Sequence, residues 1–446
     1  MRNKIFVLFI IYFLFLTNIS VLGTRSDDNL RGILDKNLNS ISLSNIIVVP
    51  DDYSTIQEAI NNSENDDIIF VRNGIYYENI FIGDRQENIT LIGENKDITI
   101  IDGKKNSKNT ITISSPNTTI QGFSIINGQN KKIGPWSTAG IQISSPNVTI
   151  KDNLIMWNLL GINALNIAHN LTIVNNSFKE DSILLGIYEH NPLKFTINSF
   201  LHTITNNTVN GKPLYFYKNA DNFTVPNDAG QIILVNCTNS TIKDTYFTQA
   251  DFPVIIAFCS NCILENLTID NSYGEFILFN SDNCTIQNNS ASHIIYGICL
   301  DYKSEKNLVQ YNKVSHNFGG IVVMMSSRNN KIYHNYIKHN SYGISLFNKS
   351  YNNVIIENKI SDNTIGIKLE KEPYDNIIIN NSIERCSYAA MSMGLTNNYW
   401  YHNYWNRPRI LPKPIFAYKM FLKGISIPYL ITDIDWNPAK KPYEID

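Results

Sequence analysis

Three stretches of this chain, HNFGGIVV (316–323), HNSYGISL (339–346) and DNTIGIKL (362–369), superimpose at a step of 23 residues. A fixed step of that size constrains the fold more than any other feature, because equivalent residues must then occupy equivalent places in a stack. The segment before each copy repeats too. It reads TTIQGFSI from Thr118, VTIKDNLI from Val148, LTIVNNSF from Leu171, HTITNNTV from His202 and STIKDTYF from Ser240. It continues as CILENLTI from Cys262, CTIQNNSA from Cys284, NLVQYNKV from Asn307, NKIYHNYI from Asn330, NVIIENKI from Asn353 and NIIINNSI from Asn376.

Each unit holds three short alternating runs, roughly xIxxN, xIxxN and GIxL, which read as three brief strands separated by tight bends. Three strands per coil and coils of 22–23 residues describe an all-β, right-handed parallel β-helix. Coils stacking at ~4.8 Å, about eleven in number, give a rod roughly 50 Å long. Asn312, Asn317, Asn335, Asn340, Asn358 and Asn363 fall at bends, where stacked amides can satisfy buried backbone. Gly320, Gly343 and Gly366 permit a close corner before the third strand. Open rod ends expose strand edges and need covers. Ser54 with Gln57 reads as the capping box of a short helix through about Ile60, an N-terminal cap. The aromatic and proline-rich NNYWYHNYWNRPRILPKPIF (397–416) reads as a C-terminal one. The expected organisation is a signal segment at 1–23, a linker at 24–45, the β-helix with its N-terminal cap at 46–396, and a C-terminal cap at 397–446.

The signal segment is expected from MRNK, a dozen apolar residues (Ile5–Leu16) and Val21-Leu22-Gly23 before Thr24. The apolar run is shorter than the ~20 residues that span a bilayer, so membrane attachment would come only from an uncleaved N-terminal anchor. The chain is expected to be secreted or held at the cell surface. Its formal charge of −2 carries no electrostatic footprint for nucleic acid. Six cysteines in 446 residues are too few for a disulfide scaffold.

VPDDYSTIQEAI (49–60), NGIYYENI (73–80), ITLIGENKDITIIDG (89–103) and the Asn-bend coils resemble the NosD-like family of parallel β-helix repeat proteins. That family is also described as carbohydrate-binding and sugar-hydrolase domains. NGKPLYFYKN…AGQIILVNC (210–237) and the terminal NYWNRPRILPKP resemble its archaeal cell-envelope members. The resemblance runs from about residue 46 to the end and implies the β-helix fold. It leaves activity open among lyases, hydrolases, binding proteins and copper-site maturation factors.

The short Asp and His motifs of polygalacturonase-like hydrolases (NTD, DD, GHG) are absent from the coils; Asn65-Asp66-Asp67 lies in the expected N-terminal cap, and Arg407-Pro408-Arg409 in the tail. No catalytic set is therefore assigned, and Glu189, Glu275 and Asp301 are the carboxylates an unfamiliar mechanism would use. The early steps of 30 and more residues place inserts at 127–139 and 210–229, on one corner of the rod, ~14 Å apart. Trp136, Trp157, Tyr215 and Tyr217, with Lys218 and Asp221, would frame an aromatic-floored groove suited to sugar faces, or else pack the inserts onto the rod. Tyr273, Tyr296, Tyr342 and Tyr388 form a second aromatic stripe. His293, His316 and His339 recur at 23 residues; they are either bend residues or ligands for a late first-row metal, although parallel side chains in a column do not converge. His334 and Glu357 form a further vertical pair. Cys237, Cys259, Cys262 and Cys284 gather at one corner as small core residues or as a copper or zinc site. The expected function is glycan binding at the cell envelope, with metal handling and polysaccharide cleavage as the alternatives.

Overall fold

The computed structural model describes residues 45–443 apart from 84, 107, 129–137, 187–194, 394–395, 418–419, 423–424 and 428–429. The expected signal segment and nearly all of the expected linker lie outside the described residues. Among those described, no helix is long and apolar enough to cross a membrane.

The coils stack as the repeat predicts. First-face strands run in parallel register from Ile46–Val49 through Ile68–Val71 and Thr90–Gly93 to Thr203–Thr205. They resume from Thr241–Lys243 to Asn397–Tyr401. Second-face strands run from Gly74–Tyr76 to Thr208–Val209, then from Tyr246–Thr248 to Tyr404–Trp405. Third-face strands run from Ile80–Ile82 to Ile183–Leu185, then from Gln231–Val235 to Tyr388–Met393. There are about 15 turns, not eleven. Three of the four missed coils are at the start, where Ile46, Ile68 and Thr90 are vertical partners although their bends lack the Asn signature, and the fourth is the last, Asn397–Tyr401. At the start Asp67 serves instead, accepting from Asn45 N at 3.0 Å and Glu64 N at 2.8 Å. Asp66-Asp67 is thus a coil bend.

Inward Ile, Leu and Val fill the interior, and the bends carry the polar load. Asn335 N and Nδ2 donate to Asn358 Oδ1 at 3.0 and 2.9 Å, while Nδ2 also reaches Val309 O at 2.8 Å. The same unit repeats along Asn289, Asn312, Asn335, Asn358, Asn381 and Asn403. Parallel columns join Asn307 to Asn398 and Asn317 to Asn363. The buried amides of these columns are thereby paired, which a stack of tight bends requires. At the corner before the third strand a Cβ on Gly343 would stand 2.5 Å from Gly366 O, so close stacking is what demands glycine there.

The stack is interrupted between Thr208–Val209 and Gln231–Val235. The segment 210–229, expected to project as an insert, is instead built into the stack. Its strand Lys212–Lys218 reverses against Thr208–Val209 and pairs in parallel with Gln231–Val235. Buried side chains bridge this junction: Asp251 Oδ2 accepts from Gly161 N and Ser182 N at 2.8 Å each, and Gln231 joins the backbone of Ile183 through both its amide atoms.

Both ends are closed. Helix Ile56–Asn61 buries Ile56, Ala59 and Ile60 at the N-terminal end. Its cap is Thr55, one residue later than expected: Thr55 Oγ1 accepts from Glu58 N at 3.1 Å, and Ser54 Oγ donates to the Glu58 carboxylate. At the other end the coil stack runs on to Trp405, and Lys413–Ala417 pairs antiparallel with Leu430–Asp435. Trp400 and Trp405 are buried there with rings 5.7 Å apart.

Candidate functional site

Outward positions of the third face change character along the stack. At Ile233, Ile255 and Ile277 they are apolar and buried. From Tyr296 onward they open into a groove of about 270 Å³ lined by aromatic rings, two methionines, Ser345, Lys368 and Glu370. The register explains the lining. Tyr296, Gly319, Tyr342, Ile365 and Tyr388 form one outward column, and Val322, Ser345 and Lys368 the next. Tyr273 is not in this column; Glu275 is the register partner of Tyr296. Gly319 supplies no ring, but the adjacent Phe318 does, lying 6.3 Å from Tyr296 and 5.0 Å from Tyr342. A Cβ on Gly319 would stand 2.8 Å from the Tyr296 ring, so the glycine lets that ring lie across the face. Lys368 Nζ stands 4.1 Å above the Tyr342 ring and 2.6 Å from Glu370 Oε2, which fixes a charged pair on the aromatic floor.

The carboxylates beside this groove are sequestered. Asp301 is buried and accepts from Tyr302 N at 2.7 Å; burial pushes its carboxyl up to about 7 against that hydrogen bond. Its register partner Phe279 packs with Tyr302 and Phe195 in a ring cluster with centroids about 5 Å apart. Glu275 is fully buried, and burial and then its charge raise the Tyr296 hydroxyl. Glu189 lies outside the described residues.

Of the expected corner groove, Trp136 lies outside the described residues. Trp157 is 42% exposed, with Lys179 Nζ 6.0 Å from its ring. Tyr215 and Tyr217 stack at 6.2 Å, and Tyr217 packs on Phe223 at 4.6 Å. The polar members are engaged in the fold: Tyr215 Oη donates to Asp228, Lys218 Nζ donates to His202 O at 2.6 Å, and Asp221 accepts from Thr238 and Asn239.

The four corner cysteines are buried rungs of the bend ladders. Cys237 N donates to Cys259 Sγ, Cys259 N to Ser281 Oγ, and Cys284 N to Asn307 Oδ1. Hydrogen bonds from the Cys259 and Cys284 thiols favour the Cys262 thiolate, while burial pushes Cys259 up. His293, His316 and His339 sit in left-handed bend positions with φ of +54°, +59° and +54°. Their rings stack at 5.1 and 5.0 Å, and Asp362 and Arg385 continue the column as a bidentate pair at 2.7 and 2.8 Å. His334 Nε2 and Glu357 Oε2 are 2.9 Å apart. Among the described residues no three His, Cys, Asp or Glu side chains converge on a common point. Donors strung along the rod do not fit the closed geometry that copper or zinc requires.

The family model described as periplasmic copper-binding protein (NosD) matches residues 221–410, and the pectinesterase model matches 45–148. A pectinesterase/pectinesterase inhibitor of Ficus pumila var. awkeotsang is 38% identical over 90 residues, 19% of this chain and 16% of that protein. Pectinesterase/pectinesterase inhibitor 18 of Arabidopsis thaliana is 33% identical over 84 residues, covering 17% and 15%. The chain thus spans about a sixth of the length of these relatives. Among solved structures, the periplasmic alginate epimerase AlgG is similar at 14% identity and a TM-score of 0.27, over 79% of this chain and 84% of that one. A PL6 family polysaccharide lyase from Pseudopedobacter saltans is similar at 14% identity and a TM-score of 0.30, over 75% and 82%. The NosD match falls on the regular coils that carry the asparagine ladders; the chain is a right-handed parallel β-helix that is similar to the NosD family over that stretch.

Proposed function

We propose that this protein binds polysaccharide outside the cytoplasm, holding one strand of the polymer along the outer side of its third face. The observation that carries the reading is the groove floored by Tyr296, Phe318 and Tyr342 with the Lys368–Glu370 pair set into it. Flat rings offer stacking area to sugar faces, and a fixed ion pair offers donors and acceptors to hydroxyls. The pectinesterase match over 45–148 points the same way. Burial of Asp301 and Glu275 beneath the surface beside the groove supports binding over cleavage. On a glycan array the protein is expected to retain polysaccharides, and Tyr342→Ala and Lys368→Ala are each expected to weaken the best ligand about tenfold, ~1.4 kcal/mol. A silent array, or affinity indifferent to Tyr342→Ala, would sink the proposal, and release of reducing ends would replace it with an enzymatic one.

A further inference from the structure

The bend column at the edge of the second face becomes more positive as its imidazoles take up protons. His293, His316 and His339 are all exposed, one per coil. Neighbouring groups come from both sides. Asp270 Oδ1 lies 2.8 Å from His293 Nδ1; Lys338 stands beside His316; Asp362 and Arg385 follow His339. Glu384 contacts Arg385 at 3.4 Å, and Tyr336 and Cys386 are also near this end. With neutral imidazoles, two cations (Lys338, Arg385) face three carboxylates (Asp270, Asp362, Glu384). With all three imidazoles protonated, five cations face the same three. Lys313 and Lys359, in the next outward column, add to the positive side.

The spacing matters as much as the charge. Rings recur every 5.1 and 5.0 Å, about the length of one pyranose ring. A polymer that carries a carboxylate on each sugar can therefore bring more than one charge against a column of three rings. Burial, and after it His339, His293 and Lys338, hold the His316 imidazole below its ordinary value, so an unliganded column resists full charging. A polyanion relieves that repulsion and takes up protons as it binds.

We infer that the His293–His316–His339 column is a second, acid-strengthened binding site, for an acidic polysaccharide of the polyuronate class. It lies across the coil corner from the Tyr342 groove and needs no metal. Because histidine here occupies a left-handed bend that asparagine fills at Asn271 and Asn406, triple replacement by Asn keeps the backbone preference. The test measures polygalacturonate binding to the full chain at about pH 5 and about pH 7.5, bracketing the imidazole range. Wild type is expected to bind about tenfold tighter at the lower pH, with the gain shrinking in salt. His293→Asn/His316→Asn/His339→Asn is expected to lose the gain while melting at the wild-type temperature, and Tyr342→Ala is expected to keep it. Binding that ignores pH, a gain that survives the triple replacement or disappears in Tyr342→Ala, or equal binding of double-stranded DNA would overturn the inference.

Discussion

Asn335→Leu is expected to destabilise the protein by on the order of 3–5 kcal/mol, far more than a surface substitution. The replaced amide accepts from Asn312 N and Nδ2 at 3.0 and 2.9 Å and donates to Val309 O at 2.8 Å and Asn358 Oδ1 at 2.9 Å. Leucine matches the volume but pairs none of these groups, and all of them lie where water cannot reach. Each stranded buried donor or acceptor costs about 1–3 kcal/mol. Because each coil contacts only its neighbours, the loss should appear first as faster amide exchange in residues 308–370 and then as a lowered urea midpoint. Unchanged exchange in those coils would show that the ladder contributes little.

A second large effect concerns pH. Asp301 titrates at about 7 in the folded chain because burial disfavours its charge, whereas an unfolded aspartate titrates near ~3.9. The folded state therefore keeps a proton that the unfolded state gives up between those values. Stability from this group is fully present below about pH 4, falls as pH rises, and is lost above about pH 7. Three units correspond to on the order of 4 kcal/mol. Asp181 behaves alike, raised to about 7 by burial, and Asp251 is raised by burial and by Asp181. Asp301→Asn retains an acceptor for Tyr302 N and removes the ionisation. Denaturant unfolding should find it several kcal/mol more stable than wild type at about pH 8 and equal to it at about pH 4. A constant difference across that range would mean that Asp301 is ionised in the fold.

The regular coils were legible because the same physics acts 23 residues apart each time: Asn at the bend, Gly at the close corner, Ile and Leu inside. The first coils were not, because Asp67 performs the bend role without the Asn signature. The 210–229 segment misled for another reason. Extra length between repeats looks the same whether it projects or reverses into a strand, and only its pairing with Thr208–Val209 and Gln231–Val235 decides. The aromatic stripe was half visible. Tyr296, Tyr342 and Tyr388 share a column, but a one-coil extrapolation to Tyr273 missed the partner Glu275, and Phe318 lies outside the period because it substitutes for a ring that Gly319 lacks. Lys368 and Glu370 carried no signal beyond alternation.

The asparagine ladders also have a direction. Each ladder asparagine finds an acceptor for its backbone N–H on the following coil, so an asparagine at the last position would ask the same of whatever lay beyond. The chain ends the series with groups that accept and do not ask: Asp433 receives Asn398 N, and Asp435 receives Asn403 N, Asn403 Nδ2 and Trp405 Nε1. These two aspartates act as termination signals in a growing polymer. They close the series of asparagine rungs and give a repetitive template a defined length.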